Sequence, residues 1–183
     1  MFMAYLTEHQ LTNFASQLRN ASTNFSNIVR AKEASASAAA TIFLSHSHKD
    51  REKAQGLVYY LGTLGIKVYV DWNDSDMPRL TNKETAEKIK VEIKTKALFM
   101  ILATRNALES RWVPWEIGIA DQCKGDQRIL LIPVADYSGR FDGNEYLQIY
   151  NRVEEAATGG YGVFSPSQTA GTTLENYIRI YGS

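Results

Sequence analysis

The sequence is short of several things, and each shortage closes off a class of protein. It holds one cysteine, Cys123, in 183 residues, which excludes an intramolecular disulfide and any metal site built on several thiolates. That usage fits a reducing compartment. Cys123 falls near the end of a predicted helix and is read as a small buried or half-buried filler rather than a nucleophile. An excess of one charge is missing as well. Twenty basic and twenty acidic residues give a formal net charge of zero, and no basic run breaks the balance, which speaks against a nucleic-acid backbone or an anionic membrane as partner. No apolar run approaches the ~20 residues needed to cross a bilayer. The first ten residues lack a basic start followed by an apolar block, so no secretory signal is expected and a cytoplasmic location is. There is no internal repeat and no glycine-rich dinucleotide fingerprint. Asp71, Asp74 and Asp76 lack the further ligands and the glycine of a calcium loop, so no metal site is expected.

What remains is an ordinary apolar fraction with a generous aromatic content, 44% and 11%, enough for a sizeable core in one domain, or one domain with an added arm. Residues 1–40 read as that arm. Leu6, Leu11, Phe14 and Leu18 form one helical stripe, and Phe25, Ile28 and Val29 a second. The polar cluster at 20–24 parts the two, and an Ala/Ser run over 34–40 follows as linker or helix tail. From residue 41 the pattern alternates. Short apolar runs at 41–44, 66–70, 97–103 and 128–134 predict strands. Residues 49–63, 83–94 and a segment opening at Ser110 predict the helices between them, with Gly65 ending the first. This order implies a parallel sheet covered by helices on both faces, an α/β three-layer sandwich of flavodoxin-like type. Beyond 135 the expectation is a loop at 139–143, a helix over 146–157, a short edge strand at 161–164 and a final helix over 172–180.

Sheets of this kind bind ligands at the carboxyl ends of their strands, beside a switch in strand order. That rule points to Ser45–His48, Asp71–Trp72, Thr104–Arg105 and the first turn of the Ser110 helix. There, Ser110 is placed to cap, Pro114 to sit in or beside the first turn, and Val113, Ile117 and Ala120 to face inward. Trp112 and Glu116, four residues apart, project from one side. On this stretch alone the ordinary reading is a Trp stacked at the helix base and a solvated Glu that suits the helix dipole. Ser45 and His46 end the first strand, where a polar turn capping the next helix is the ordinary reading. They do not form a nucleophilic pair, because adjacent residues on a strand point to opposite faces. His48, Lys49 and Asp50 read as helix-start chemistry. Trp72 and Trp115 are more often packing than ligand.

Three stretches in order carry a recognisable pattern. Phe43-Leu44-Ser45-His46-Ser47-His48-Lys49-Asp50 resembles the first strand and loop of bacterial Toll/interleukin-1 receptor (TIR) domains. Val68-Tyr69-Val70-Asp71 resembles their second strand, leading into the family's BB loop, here Trp72 to about Asn82. Ser110-Arg111-Trp112-Val113-Pro114-Trp115-Glu116 resembles their third helix. The likeness covers about 41–134 closely and the rest by general plan, so 41–183 is read as a TIR-like domain after the arm.

In the NAD-consuming, antiphage-defence branch of that family (the Thoeris type), the residue matching Glu116 is the key group for cleaving NAD+ at the nicotinamide–ribose bond. The resemblance therefore implies Glu116 as the catalytic residue and Ser45, His46, Asp71, Trp72 and Trp112 as substrate contacts, a phosphate or ribose contact at Ser45 and His46 standing about even with the polar turn. NAD+ would be the substrate rather than a recycled cofactor, and the product ADP-ribose or a cyclised form of it. It also implies self-association through TIR–TIR contacts, with a downstream effector that senses the product. A non-catalytic scaffold acting by self-association is the alternative. A nucleoside-processing hydrolase or transferase on a similar sheet is a third.

Overall fold

A computed structural model describes residues 5–20, 41–73, 82–141, 143–157 and 159–182. The second stripe of the arm, its Ala/Ser run and the polar loop at 74–81 lie outside the described residues. The chain opens with β1 (Leu6–Thr7) and α1 (Glu8–Asn20). The alternating part follows as β2 (Thr41–Ser45), α2 (Arg51–Thr63), β3 (Lys67–Tyr69), α3 (Lys83–Thr95), β4 (Leu98–Ala103), a short α4 (Arg105–Leu108), α5 (Val113–Cys123) and β5 (Ile129–Ala135). β6 (Asn151–Glu155), β7 (Tyr161–Phe164), β8 (Gly171–Thr173) and α6 (Leu174–Tyr181) complete it.

The strands lie in the order β3-β2-β4-β5-β6-β7-β8. β3 through β6 run parallel in that sheet; β7 is antiparallel to β6, and β8 antiparallel to β7. The chain steps outward from β2 to β3 and then back across to β4, so the switch in strand order falls between β2 and β4. That is the crevice in which such sheets hold ligands.

Period-2 alternation sorts the core onto two faces. Ile42, Leu44, Met100, Leu102, Leu130 and Ile132 pack with α1, α2 and α6 residues such as Leu11, Leu57 and Ile178. Phe43, Phe99, Ile101, Ile129 and Leu131 pack with Ile89 and Ile93 of α3 and Val113 and Ile117 of α5. Helix ends follow local chemistry. Asn82 and Thr85 form a reciprocal capping box on α3, and Gly65, at φ +78°, supplies the left-handed turn after α2 that a side chain resists.

Residues 5–20 pack on the main body. β1 pairs in parallel with Val134 and Ala135 of β5, beyond the last β5 residue that pairs with β4 or β6. α1 crosses α2 so closely that a Cβ on Gly56 would lie 1.9 Å from the Leu11 carbonyl oxygen. Gly→Ala inside a helix ordinarily gains up to ~1 kcal/mol. Here the sign reverses: Gly56→Ala is expected to cost about 1–3 kcal/mol by overpacking. Gly118→Ala in α5, where nothing stands within 4 Å of the added carbon, keeps the ordinary gain. Urea unfolding of the two variants checks the contrast.

The last third corrects the sequence reading in three places. Residues 146–157 are not a helix: a 3-10 turn, Glu145–Ile149, leads into β6. The helical spacing of Leu147 and Tyr150 is real, since both are buried, but one 3-10 turn satisfies it because its side chains repeat every three residues. β7 is not an edge, since β8 pairs with its outer side. Thr172 and Thr173 belong to β8, and the final helix begins at Leu174 with Thr173 accepting the Asn176 N–H at 3.3 Å. β1 and α4 were not expected from the sequence.

Candidate active site

The turn that opens α5 is built as the sequence suggests. The Ser110 hydroxyl oxygen accepts the backbone N–H groups of Trp112 at 3.2 Å and Val113 at 3.4 Å. Pro114 occupies the first turn, where its missing N–H leaves no gap in the ladder. The buried face of α5 carries Val113, Glu116, Ile117 and Ala120. A carboxylate is thus set into an apolar stripe. Glu116 is only 8% exposed, which overturns the solvated-Glu reading of this stretch.

Glu116 meets the end of β2. The Ser45 hydroxyl donates to its Oε2 at 2.5 Å, across 71 residues of sequence. Burial pushes the Glu116 carboxyl up to about 8; the Ser45 hydrogen bond opposes the rise and the nearby Asp71 charge adds to it. The free protein therefore holds a largely protonated acid here at neutral pH.

His46, the residue after the end of β2, meets partners other than those of Ser45. Its ring meets Trp72 edge-on with centroids 4.4 Å apart, and its Nε2 lies 3.9 Å from Asp71 Oδ1. Burial lowers its pKa, against the raising effect of Asp71. Asp71 accepts the Trp72 N–H at 2.8 Å, and the Arg51 guanidinium stands 5.4 Å from the Trp72 ring centre. Trp112 is half-buried, packed edge-to-face on Trp115 at 5.1 Å and against the Phe43 cluster. The structure thus brings Ser45 to Glu116, and His46 to Asp71 and Trp72, while Trp112 packs beside its own helix. Among the described residues no cluster of three or more His, Cys, Asp or Glu is arranged to hold a metal. No helix among them is long and apolar enough to cross a membrane.

Residues 42–158 match the family model of the TIR domain. The chain belongs to the TIR domain family. It is 40% identical over 114 residues to a probable 3′ cyclic ADP-D-ribose synthase ThsB′ of Bacillus cereus (strain MSX-D12), an alignment covering 60% of this chain and 58% of that protein. It is 28% identical over 109 residues to a putative cyclic ADP-D-ribose synthase TIR2 of Cytobacillus dafuensis, covering 51% of this chain and 29% of that one. The chain spans less than two thirds of the length of either relative.

The TIR site rests on a residue whose part was not legible in the sequence. Asp50, read as helix-start chemistry, is 1% exposed. Its carboxylate accepts from Thr104 Oγ1 at 2.5 Å, Asn106 Nδ2 at 2.8 Å and Lys53 Nζ at 2.8 Å. Lys53 also reaches Glu8 of α1 at 2.8 Å. Burial alone would lower the Lys53 pKa, but its bonds to Asp50 and Glu8 outweigh that and raise it. Thr104 in turn accepts the Ala107 N–H at 3.0 Å and caps α4. One carboxylate thus ties the loop after β2, which begins at Ser45 and His46, to the loop after β4. The available signal was Thr104 standing at a strand's carboxyl end, but its partner lies 54 residues away.

Proposed function

We propose that this TIR domain cleaves NAD+ at the nicotinamide–ribose bond and closes the remaining ADP-ribose into a cyclic signal nucleotide, in bacterial antiphage defence. The observation that carries the reading is a buried carboxyl, Glu116, held by Ser45 beside the crevice between β2 and β4. The two relatives, each named a cyclic ADP-D-ribose synthase, support the reaction class.

In this reading the bond between ribose C1′ and the pyridinium nitrogen breaks, and its electron pair leaves with neutral nicotinamide. Positive charge moves onto the ribose as an oxocarbenium-like centre. A fixed carboxylate beside the sugar holds the ribose hydroxyls and stabilises that charge, most strongly in a site shielded from water. Arrival of the positively charged nicotinamide ring favours the ionised form of Glu116, so the proton held at rest is released on binding. Trp112 walls the reacting ribose and limits water. An adenosine hydroxyl or ring nitrogen then captures C1′, losing a proton where it has one; capture by water gives linear ADP-ribose instead. Residues 1–40 form an added segment, whose residues 5–20 dock on the TIR domain of 41–183. Copies associate through TIR–TIR contacts that complete the site.

Purified protein incubated with NAD+ is expected to release nicotinamide with a matching cyclic nucleotide on chromatography, at a rate per protomer that climbs with protein concentration. Self-association without any nicotinamide, up to the highest soluble concentration, would leave a scaffold and sink the enzyme.

A further inference from the structure

Among the described residues, His46 carries a buried ring nitrogen that meets no partner. Its Nδ1 lies 3.2 Å from the Leu44 carbonyl oxygen, and a carbonyl only accepts. The single proton of the neutral ring is therefore on Nδ1, and Nε2 presents a lone pair. That Nε2 is buried without a hydrogen-bond partner, 3.9 Å from Asp71 Oδ1, which is itself an acceptor already taking the Trp72 N–H. Two acceptors thus look toward one spot, walled by the edge of Trp72. Buried polar atoms are rarely left unsatisfied without a reason.

We infer that His46 selects an uncharged hydrogen-bond donor of the substrate, a ribose hydroxyl or a carboxamide NH2, and turns away phosphate. The inference rests on the NAD+ reading and sharpens it, since the family resemblance left phosphate and ribose both open at this loop. A phosphate oxygen offered to Nε2 would set lone pair against lone pair, beside a carboxylate. A hydroxyl or NH2 donates to Nε2, and the vicinal ribose hydroxyl, or the second N–H of the carboxamide, reaches Asp71. Ser45 and His46 then divide the work across the end of β2. One serves the acid at Glu116, and the other reads what the substrate donates.

The test uses the full chain carrying Glu116→Gln, so that NAD+ is bound but not consumed, and long-range proton–nitrogen NMR of the His46 ring. In the free protein at neutral pH, Nδ1 is expected to carry the proton and Nε2 to be bare. NAD+ moves the Nε2 signal and inorganic phosphate does not. His46→Leu in the same background weakens NAD+ binding about tenfold, the worth of one buried hydrogen bond. Two NAD+ analogues assign the donor: one lacks a hydroxyl on the nicotinamide ribose, and one carries an acetyl group in place of the carboxamide. Whichever analogue binds equally well with and without the His46→Leu change has lost the group His46 reads. A proton on Nε2, a phosphate-induced shift, or undiminished NAD+ affinity in His46→Leu overturns the inference. If the unmutated chain turns NAD+ over while Nε2 stays unmoved in the Glu116→Gln protein, this inference alone fails. If no NAD+ binds and no nicotinamide appears, the substrate reading fails and takes this ligand with it.

Discussion

Glu116→Gln is expected to lower nicotinamide release by at least 10²–10³-fold, roughly what removal of one preorganised electrostatic group costs, and at the same time to make the folded protein more stable above about pH 5. Both effects come from one placement, a carboxyl buried in the apolar stripe of α5. The native carboxyl titrates near 8, raised from 4.5 by burial first. Between those values the unfolded chain gives up its proton and the native chain keeps it. Native protein thus binds more protons than unfolded protein, and stability falls as pH rises, by up to about 1.4 kcal/mol per pH unit. Below 4.5 the contribution is complete, and above about 8 the loss levels off. Gln is neutral throughout and still accepts the Ser45 hydroxyl. Urea unfolding at several pH values should therefore show the mutant pulling ahead between pH 5 and 8. Parallel stability profiles for the two proteins would mean that the carboxyl is not buried as described.

Asp50→Ala should be the most damaging change away from the reacting centre. It strands the Thr104 hydroxyl and the Asn106 amide at once and leaves the Lys53 ammonium with Glu8 alone. Breaking a buried charged pair on one side costs about 3–5 kcal/mol. The loop from Ser45 to Asp50 and the α4 cap lose their common anchor, so nicotinamide release should fall with stability, and hydrogen exchange should rise at 46–50 and 104–108. Asp50→Asn keeps the shape but exchanges one acceptor for a donor, and should fall between the two. A loss under about 1 kcal/mol in Asp50→Ala, a typical surface effect, would show that the network is ornamental.

The alternating half of the fold was readable because its strands are buried on both faces and stand out as unbroken apolar runs, such as Leu98–Ala103. β6 was not, because it places Arg152 and Glu154 inside the sheet, where they pair with each other, and that charge hides a strand pattern. β1, with two residues, is too short to show any period and exists only because β5 offers it an edge. In the site, strand-end logic and family resemblance named Ser45, His46 and Glu116. Neither could tell that Glu116 turns inward, since a Glu on the first turn of a helix is equally at home in water. Asp50 stayed hidden because its partners, 54 and 56 residues away, are a product of topology rather than of local pattern.

Both outermost strands, β3 and β8, are three residues long. Among the described residues, neither flank offers a run of unpaired amides sufficient to template a neighbour's backbone. Protomers that gather must therefore meet through side chains on helices and loops, and high concentration should yield reversible assemblies in place of a ribbon that grows by adding strand to strand.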